Sequence, residues 1–418
     1  MGKIIRKLEN EKEFFDFAGI VGLAYPEFKI ETEEQKKNMV ERSMKTHAEN
    51  PFVKFYGVFE DEKILGGMRY HDYQMKLLSE NIDVGGIGLV AVDFLHKKEK
   101  IAKEIVLGFI NHYNEKNCPL VMLYPFQPGF YKKMGFGFGP NMYQYKIKPQ
   151  DLPKGDSKAN LEFANDSDAE KMLECYNRLF NKTNGLTKKN IQEFQMILKN
   201  PKVKYVVYKN EDKIEGYIAF EFKSNDTNFL VNDIIINQIV YENERALSQL
   251  MTFLNSQQDQ IRYIILNTFD ENFRFFLENP TNCVDNMFVL VYHESFIGGT
   301  GLMYRVIDVE LLFNLLKEHN FNNQNCSLKL NIKDNFVEKN NKSFYLNFKN
   351  GFLEEQINND YEVEIETDIS DFSSLITCSV DFKSLYKLGR VKISKQNYLE
   401  TINQIFSSSE KPICLTLF

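Results

Sequence analysis

The sequence has few cysteines and no cysteine pair. Its six cysteines are scattered over 418 residues, and no two lie close together. A zinc site needs paired Cys or His ligands at spacings such as C-x2-C, and a disulfide framework is typical of short secreted chains. We therefore expect six reduced, mostly buried thiols in a cytoplasmic protein without a metal site.

Long apolar runs are also absent. No stretch approaches the ~18 apolar residues that a membrane-spanning helix needs. The first ten residues are charged and mixed, without the apolar segment of a secretory signal. These absences predict a soluble chain with no transmembrane segment.

An excess of positive charge is missing as well. The chain has 51 Lys and Arg against 58 Asp and Glu, which gives a net charge of −7. A general nucleic-acid-binding protein carries a basic excess, so that class is excluded, whereas an acidic balance suits small cationic partners. The composition, with 43% hydrophobic and 26% charged residues, is that of a globular protein. The length predicts about three domains of ~150 residues each.

The first third of the chain shows alternating strands and helices. Apolar residues at helical spacing predict the helices, and short apolar runs bounded by turn residues predict the strands. The predicted helices are Glu11–Tyr25, Thr32–Glu49 and Ile101–Glu115, with one or two helical turns at Gly129–Met134, and the predicted strands are Phe52–Phe59, Lys63–Gln74, Gly85–Val92, Leu120–Tyr124 and Asn141–Lys148.

A linker at Pro149–Asn160, with two prolines, a glycine and several charges, precedes a second unit. This unit repeats the order of elements of the first, which indicates an internal structural repeat. Its predicted helices are Ser167–Phe180, Ile191–Lys199, Glu242–Asn255 and Asn272–Leu277, and its predicted strands are Val203–Lys209, Lys213–Phe222, Phe229–Val240 and Tyr263–Asn267.

The glycine cluster Gly298–Gly301 opens a third region, and we place the boundary near Ser295–Gly299. Here the pattern predicts both helices and strands, including an apolar strand at the end of the sequence. The predicted helices are Val309–Lys317, Ser379–Leu388 and Lys395–Phe406, and the predicted strands are Leu302–Val306, Cys326–Asp334, Ser343–Phe348 and Pro412–Phe418.

The stretch Leu89–Ala102 is the most informative for chemistry. A strand ends in it, a short basic turn follows, and a helix begins. The exposed N–H groups at a helix N-terminus suit a pyrophosphate, and Lys97 and Lys98 add positive charge there. On spacing alone, the alternative is a solvated basic turn without a ligand.

A second stretch, Leu123–Gly139, combines an aromatic-rich helical turn with alternating glycines. The spacing is G-x-G-x-G and not the G-x-G-x-x-G of dinucleotide-binding folds. By itself it predicts a closely packed loop in which Tyr131 is a tyrosine of the core or its rim.

Together and in this order, the two stretches resemble the GNAT N-acetyltransferase fold. In that fold one strand pairs with the pantetheine arm of acetyl-CoA, and a Gln/Arg-x-x-Gly-x-Gly/Ala turn binds the pyrophosphate. The resemblance implies acetyl-CoA as the cofactor, with a pantetheine strand and a pyrophosphate turn. These are formed by Val90, Ala91 and Val92, and by Lys97, Lys98, Lys100, Ile101 and Ala102, respectively.

A narrower resemblance covers the whole chain. Gly129–Gly137 is similar to the Y-x-x-F/M-G-[FY]-G motif of the enhanced intracellular survival (Eis) acetyltransferases, and Gly301–Val309 resembles the opening of their carrier-like domain. The resemblance implies an α+β fold class: tandem GNAT folds, each a mixed sheet flanked by helices, followed by a sterol-carrier-protein-like α/β domain. It implies a catalytic GNAT domain at 1–150, a degenerate GNAT-like domain at 151–296 and the carrier-like domain at 297–418. It also implies a homo-oligomer, which in the family is a hexamer.

The chain departs from the family pattern at two turns. Lys100 stands where the pyrophosphate turn of the family has glycine, so its side chain either crowds the backbone near the phosphate or swings out and pairs with it. In the second unit, Val240–Arg245 has no glycine and places two acidic residues where a phosphate would bind. We therefore predict that the second unit binds no acetyl-CoA.

The resemblance further implies direct acetyl transfer to an amine, without a covalent enzyme intermediate. Tyr131 would be the general acid that protonates the leaving thiolate, and the chain-terminal carboxylate of Phe418 would be the general base. Backbone N–H groups of Val90–Val92 would stabilise the oxyanion. The apolar sequence Ile413–Phe418 favours a buried end, which also fits an ordinary last strand of the third domain.

The acceptor implied by the resemblance is a small molecule with primary amines, such as an aminoglycoside or a lysine-type amine. Leu89 would form an apolar wall of its pocket, and Glu27 and Glu31 would face the cation, although such glutamates are usually solvated. We interpret His96 as a turn residue. Two other functions stay open: a non-enzymatic carrier of an apolar ligand with a degraded acetyl-CoA site, and an acetyltransferase for peptide or protein N-termini.

Overall fold

The computed structural model describes residues 2–224, 228, 230–355 and 359–418. Backbone contacts divide the chain into two units. Unit 1 contains the chain up to Gly139, Leu302–Ser409 and Thr416–Phe418, and unit 2 contains Pro140–Gly301 and Glu410–Leu415. The third region predicted from the sequence therefore folds in the same unit as most of the first.

The first region forms helices where apolar residues recur at helical spacing. Its third helix begins at Ile101 and buries a stripe that includes Ile105 and Phe109. The elements are β1 (Ile4–Lys7), α1 (Glu11–Ala24), α2 (Glu33–Glu49), β2 (Val53–Glu60), β3 (Lys63–Leu77), β4 (Glu80–Val92), α3 (Ile101–Glu115), β5 (Leu120–Leu123), α4 (Pro128–Lys132) and β6 (Gly137–Phe138). The sequence predictions did not include β1.

The middle region repeats this order of strands and helices. Its elements are β7 (Asn141–Ile147), β8 (Leu161–Phe163), α5 (Ala169–Phe180), α6 (Ile191–Leu198), β9 (Lys204–Asn210), β10 (Lys213–Ser224), β11 (Asn232–Tyr241), α7 (Glu244–Asn255), β12 (Ile261–Thr268), β13 (Met287–Phe288), β14 (Tyr292–His293) and β15 (Ile297–Thr300). The predicted strand Phe229–Val240 begins at a residue outside the described part of the chain. The helix predicted at Asn272–Leu277 is a 3-10 turn, Phe273–Phe276.

The third region is a small five-stranded sheet with short helices. Its elements are β16 (Met303–Val306), α8 (Val309–Leu315), β17 (Cys326–Lys333), β18 (Ser343–Lys349), β19 (Phe352–Glu354), β20 (Val363–Asp368), α9 (Ile369–Ile376), α10 (Phe382–Lys387), β21 (Val391–Ile393) and α11 (Leu399–Ile405). The strand order of this sheet is β19-β18-β17-β20-β21, with β17 and β20 parallel.

The seven-stranded sheet of unit 1 has the order β1-β2-β3-β4-β5-β16-β6. Only β4 and β5 are parallel among its pairs, and their pairing runs from Val84 opposite Leu120 to Ile87 opposite Leu123. Strand β16 of the third region is inserted between β5 and β6, where Met303 pairs with both Leu123 and Phe138. The first region therefore needs a strand from the third region to complete its sheet.

Unit 2 has its own seven-stranded sheet, in the order β15-β7-β12-β11-β10-β9-β8, with β11 and β12 parallel. The glycine-rich segment Ile297–Thr300, which the sequence placed at the opening of the third region, is the edge strand of this sheet. The two seven-stranded sheets each have one parallel pair at the same place in the order of elements, and this matches the repeat predicted from the sequence.

Two predictions near the end of the sequence differ from the structure. The helix predicted at Ser379–Leu388 is shorter, because the Asp381 side chain accepts a hydrogen bond from the Ser384 backbone N–H and starts the helix there. The strand predicted at Pro412–Phe418 has no regular secondary structure. In unit 2 the backbone N–H of Ile413 donates to the Asn184 carbonyl at 2.8 Å, and Ile413 packs against a buried cluster. The first apolar residues of this segment therefore pack against a core without pairing as a β-strand.

Candidate active site

The centre of the candidate site is a β-bulge in β4. Gly67 of β3 pairs with Ala91, but Arg69 pairs with Gly88, so β4 has one extra residue in between. Leu89 takes up the irregularity with a left-handed φ of 52°. Bulges of this kind bend a strand and are common beside active sites.

Beyond the bulge, β4 runs without β5 at its side. The described pairing of the two strands stops at Ile87, so β4 separates from β5 before Val90. The Asp93 backbone N–H just after β4 donates to the Leu65 carbonyl of β3 at 2.9 Å. Because these directions alternate along a strand, Ala91 also directs its backbone groups to β3, and Val90 and Val92 direct theirs to the opposite, open edge. An open strand edge suits an extended ligand with amide groups, such as a pantetheine arm.

Tyr25, just after α1, marks the open edge. Its hydroxyl donates to the Val90 carbonyl oxygen at 2.8 Å. Its ring stacks on Phe28 at 5.4 Å and meets the edge of Phe126 at 6.3 Å. Burial and the nearby Glu27 raise the pKa of Tyr25. The sequence analysis missed Tyr25, since a single tyrosine after a helix carries no pattern.

The basic turn that follows β4 has a glycine-like backbone. Lys98 has φ 70°, and Lys100 has φ 65° and forms the N-cap of α3 without a side-chain hydrogen bond to the helix. Ile101 is buried under the turn, Ala102 is partly buried, and the lysines are exposed, with Lys97 Nζ lying 3.4 Å from the ring centre of Phe94. Lys100 thus takes a left-handed backbone conformation, which glycine adopts without strain, and its side chain lies in solvent.

An uncapped helix start beside several lysines fits a pyrophosphate. The first N–H groups of a 15-residue helix point outward with no side chain bound to them, and the helix dipole favours a negative group there. Together with the open edge at Val90 and Val92, the turn provides both features that acetyl-CoA requires.

The equivalent turn of unit 2 is built differently. There Asn243 caps α7 by accepting from the Ala246 N–H at 2.9 Å. The carboxylate of Glu242 just before it is held by Arg178 at 2.7 Å and Lys213 at 3.1 Å. In unit 2, therefore, the Asn243 side chain binds the helix N–H that a phosphate would bind, and Glu242 pairs with the two cations that would attract it.

Tyr131 lies in the five-residue helix α4 and is almost completely buried. The edges of the Phe130 and Phe136 rings face its ring, with centroids 5.2 and 5.9 Å away. Burial raises the pKa of Tyr131 to about 12, and Tyr25 contributes to that increase. Tyr131 therefore stays protonated at neutral pH and lies near the tyrosine that contacts Val90.

Phe418 lies in a trough over β4 that two glycines create. A Cβ on Gly86 would come within 3.2 Å of Phe418 Cε2, and a Cβ on Gly88 within 2.9 Å of the Phe418 carbonyl carbon. The ring of Phe418 contacts three aromatic rings, with centroid distances of 5.3 to 5.5 Å; they belong to His71, Tyr73 and Tyr124. The carbonyl group of Phe418 thus lies over Gly88, which precedes Val90 by two residues in β4.

A polar row on β3 borders this trough and was missed by the sequence analysis. Arg69, His71 and Tyr73 alternate along the strand and share one face. Arg69 Nε donates to His71 Nε2 at 2.8 Å, and His71 Nδ1 lies 3.1 Å from the Tyr73 hydroxyl. Burial lowers the pKa of His71 to about 3, so the imidazole is neutral. The signal in the sequence was the Gly85-Gly86-Ile87-Gly88 run, which leaves space opposite this row.

The acceptor residues predicted from the sequence are only partly brought together. Leu89 is half-buried at the bulge and packs against the cluster that includes Phe17. Glu27 is exposed in a 3-10 turn beside Tyr25. Glu31 is exposed, and its backbone N–H bonds the Gln35 side chain at the start of α2. His96 lies in the turn after β4, 3.5 Å from Asp93 and 3.4 Å from Lys63.

The described part of the chain contains no group of three or more His, Cys, Asp or Glu side chains arranged to hold a metal ion. Its helices are also too short or too polar for a membrane span.

Comparison with known families identifies three domains by sequence. Residues 5–139 and residues 185–297 each match a family described as an acetyltransferase (GNAT) domain. Residues 313–415 match the sterol carrier protein domain. The predicted fold class, tandem GNAT folds followed by a sterol-carrier-protein-like domain, is confirmed. No curated protein matches the chain.

Solved structures with the same fold span the whole chain. A GCN5-related N-acetyltransferase from Anabaena variabilis has a TM-score of 0.77 and 16% identity, with 100% of both chains covered. A probable N-acyltransferase from Enterococcus faecalis has a TM-score of 0.78 and 16% identity, again with 100% of both chains covered. Eis1 from Mycobacterium abscessus has a TM-score of 0.74 and 14% identity, also with 100% of both chains covered. At these identities the likeness shows the fold.

Proposed function

Because the chain carries two GNAT acetyltransferase domains and is therefore an acyltransferase with acetyl-CoA as donor, we propose that it acetylates primary amines of small polyamine-like acceptors by direct transfer. Aminoglycosides and lysine-type amines are the acceptor classes that we propose. The observation that carries the proposal is the convergence, within unit 1, of the open edge of β4, the uncapped start of α3, Tyr131 and Phe418.

Acetyl-CoA supplies the acetyl group, and CoA leaves as the free thiol. We propose that Val90, Ala91 and Val92 bind its pantetheine arm, with Val90 and Val92 facing the arm through their backbone groups. The turn Lys97–Ala102 binds the pyrophosphate through the N–H groups at the start of α3 and the charges of Lys97, Lys98 and Lys100. A backbone N–H on the open edge of β4 stabilises the developing oxyanion.

Tyr131 is the proposed general acid. Burial keeps its hydroxyl protonated far above neutral pH, so the proton is present when a thiolate must be neutralised. CoA leaves as the thiol with the proton of Tyr131. The tyrosinate left behind is a stronger base than a thiolate of pKa ~8.5, so it takes a new proton from solvent before the next turnover.

The terminal carboxylate of Phe418 is the proposed general base. A primary alkylamine has a pKa of ~10.4 and must lose a proton to attack. The Phe418 carbonyl end lies over Gly88, close to the strand that the acetyl group would meet. The rings of His71, Tyr73 and Tyr124 pack against the Phe418 ring and hold the residue at this place. A negative group at this place also attracts a cationic amine.

For the acceptor itself, we propose Leu89 as an apolar wall of the pocket, and Glu27 and Glu31 as anionic residues that face the cation. The net charge of −7 supports cationic acceptors. The domain bounds that go with this function are 1–150 for the catalytic domain, 151–296 for the degenerate one and 297–418 for the carrier-like one.

We also propose a cytoplasmic homo-oligomer, a hexamer by the family resemblance. The hairpin of β13 and β14 supports an assembly, because its six residues Met287 to Tyr292 are apolar and all more than half exposed in the single chain. Apolar surface of this extent is typical of an interface between proteins.

A thiol-release assay tests the function. The protein is mixed with acetyl-CoA and, in separate reactions, a multi-amine aminoglycoside, free lysine and a short peptide with a free N-terminus. We expect CoA release with the multi-amine acceptor and its loss in Tyr131→Phe. Absence of CoA release with every amine, together with no acetyl-CoA binding in calorimetry, contradicts the proposal, and release with the peptide alone redirects it to N-terminal acetylation.

A chain extended beyond Phe418 tests the base. A few added residues remove the carboxylate from its place, so turnover should be lost while thermal unfolding and acetyl-CoA binding are unchanged. Full activity of the extended chain would show that Phe418 is not the base.

A further inference from the structure

The third region buries an ion pair directly behind the turn that follows Tyr131. Arg305 lies on β16 and is fully buried. Its Nη2 donates to both carboxylate oxygens of Asp334, at 2.9 and 2.7 Å. Asp334 follows β17, and its Oδ1 also accepts from the backbone N–H groups of Phe336 and Val337 at 3.0 Å each. The loop 334–337 therefore fixes the carboxylate, and the carboxylate fixes the guanidinium.

The guanidinium is only partly used by this pair. Nε and Nη1 of Arg305 have no hydrogen-bond partner among the described residues, although both are buried. A buried ion pair stabilises a fold weakly at best, and buried donors without partners lower stability further. An apolar side chain of similar volume would serve a purely structural purpose at least as well, so a charged group at this place calls for another role.

The unpartnered side of the guanidinium faces the backbone of Gly135. A Cβ on Gly135 would overlap Arg305 Nη1 and come within 2.6 Å of Arg305 Cζ. Gly135 has φ +84°, a conformation that glycine adopts without strain. The guanidinium plane and this glycine are thus in contact, and no other residue fits at position 135.

Gly135 lies in the turn that ends the helix of Tyr131. In this turn the backbone N–H groups of Met134 and Phe136 both donate to the Tyr131 carbonyl, at 2.9 and 3.2 Å. Any movement of the turn therefore moves the backbone of Tyr131. Gly135, which Arg305 contacts, precedes Phe136, one of these two donors, directly in the chain.

We infer that Arg305 is a positioning residue for Tyr131, anchored by Asp334 and acting through the turn at Gly135. The inference rests on the proposed function, in which Tyr131 is the general acid. The planar guanidinium, held at a fixed place by Asp334, keeps the turn and hence the Tyr131 hydroxyl in register with the acetyl-CoA strand. The third region thereby contributes to the active site not only through Phe418 but also through Arg305 on strand β16.

The test uses a double variant, because removing one partner alone leaves a buried charge. Arg305→Met with Asp334→Asn removes the pair, and Arg305→Lys keeps the charge without the planar group. The matched control is Arg262→Met with Asp233→Asn in unit 2, which removes another Arg–Asp pair with two hydrogen bonds, of 3.0 and 2.8 Å. Steady-state rates and thermal unfolding are measured for all of them.

We expect the double variant to lose about ten-fold or more in kcat while its KM for acetyl-CoA stays within about two-fold, because a shift of about 1 Å in a reacting group costs up to 10²-fold in rate. Arg305→Lys should be intermediate, and the control should keep the rate of the wild type. A folded double variant with the kcat of the wild type overturns the inference. Should the double variant not fold, Arg305→Lys carries the same test, and an unchanged kcat for it overturns the inference.

A second readout does not need turnover. Tyrosine labelled with 13C at Cζ gives a resonance for Tyr131, assigned by its absence in Tyr131→Phe. We expect this resonance and its titration to move in the double variant and in Arg305→Lys, but not in the control. If the wild type lacks acetyltransferase activity, the proposed function fails, and the NMR result still decides the positioning role: an unmoved Tyr131 resonance refutes it.

Discussion

Adding a methyl group at Gly88 tests whether Phe418 takes part in the reaction without altering the end of the chain. The Cβ of Gly88→Ala would lie 2.9 Å from the Phe418 carbonyl carbon and 3.2 Å from its oxygen. Ordinary van der Waals contact begins at 3.4 Å, so the carboxyl group must move by roughly 0.5–1 Å. Gly88 does not have a left-handed φ, and the backbone therefore accepts alanine.

The expected result is a loss of turnover with an intact fold. A displacement of this size should lower kcat by about 10- to 100-fold. The free energy of unfolding should change by less than about 1 kcal/mol, because Phe418 is only half-buried and ends the chain. The acetyl-CoA dissociation constant should be unchanged, since the turn Lys97–Ala102 is not touched.

The assay combines CoA release at saturating acetyl-CoA with calorimetry of acetyl-CoA binding and urea unfolding. Gly298→Ala is the matched control, because nothing lies within 4 Å of a Cβ there. A Gly88→Ala protein that keeps the kcat of the wild type would refute the role of Phe418, and one that loses acetyl-CoA binding would show that the damage lies in β4 instead.

Three other measurements test the site. Tyr131→Phe should lower kcat by roughly 10²-fold or more with unchanged acetyl-CoA binding, and a wild-type kcat would exclude the acid role. His71→Asn should flatten the acid dependence of stability. Since burial lowers the folded-state pKa of His71 to about 3, the unfolded chain binds the extra proton, and stability falls as the pH drops below ~6.5 by up to about 1.4 kcal/mol per pH unit. Urea unfolding at pH 7 and pH 5 should therefore differ more in the wild type than in the variant, and equal differences would contradict a buried neutral imidazole. Lys100→Gly should be more stable to urea than Lys100→Ala by about 0.5–1 kcal/mol, because only glycine relieves the left-handed φ, and equal stabilities would contradict that backbone conformation.

The sequence predicted the strand, turn and helix of Leu89–Ala102 well because their signals are local. A strand, a basic turn and an amphipathic helix follow one another within 14 residues, and the helix began at Ile101 as expected. The left-handed φ of Lys100 was not predicted, since no local pattern marks a lysine for that conformation. For strand β4 and helix α3, the residue propensities and the spacing of the apolar residues predict the same secondary structure.

Other parts of the site depend on contacts that no local pattern encodes. The aromatic rings around Phe418 come from β3 and from Tyr124 beyond β5, and their common neighbour is a glycine trough on β4. The Arg305–Asp334 pair joins residues 29 positions apart. The sequence around Arg305, a charged residue on an apolar strand, does not indicate that its side chain contacts the backbone of Gly135.

The terminal segment shows a different limit of sequence reasoning. The run Ile413–Phe418 is apolar, and that pattern predicts a buried strand. Cys414 is buried and Ile413 is partly buried against a core cluster, whereas Leu417 is exposed. Yet it forms no ladder, because its backbone groups bond to a loop in unit 2 and to the Tyr124 side chain in unit 1. An apolar segment is expected to be buried, but its secondary structure and backbone hydrogen-bond partners can be predicted only when the apolar residues recur with a regular period.

The insertion of β16 between β5 and β6 has a consequence for synthesis on the ribosome. The first region is complete in sequence at Gly139, but its sheet cannot close until Met303–Val306 have been made, about 160 residues later. At ~5–20 residues per second, the apolar strand β5 waits with an open edge for roughly ten to thirty seconds. An open apolar edge invites pairing with other chains, so a slowly translated or truncated message should yield aggregates of the first region, and holdase chaperones should bind the nascent chain in that interval.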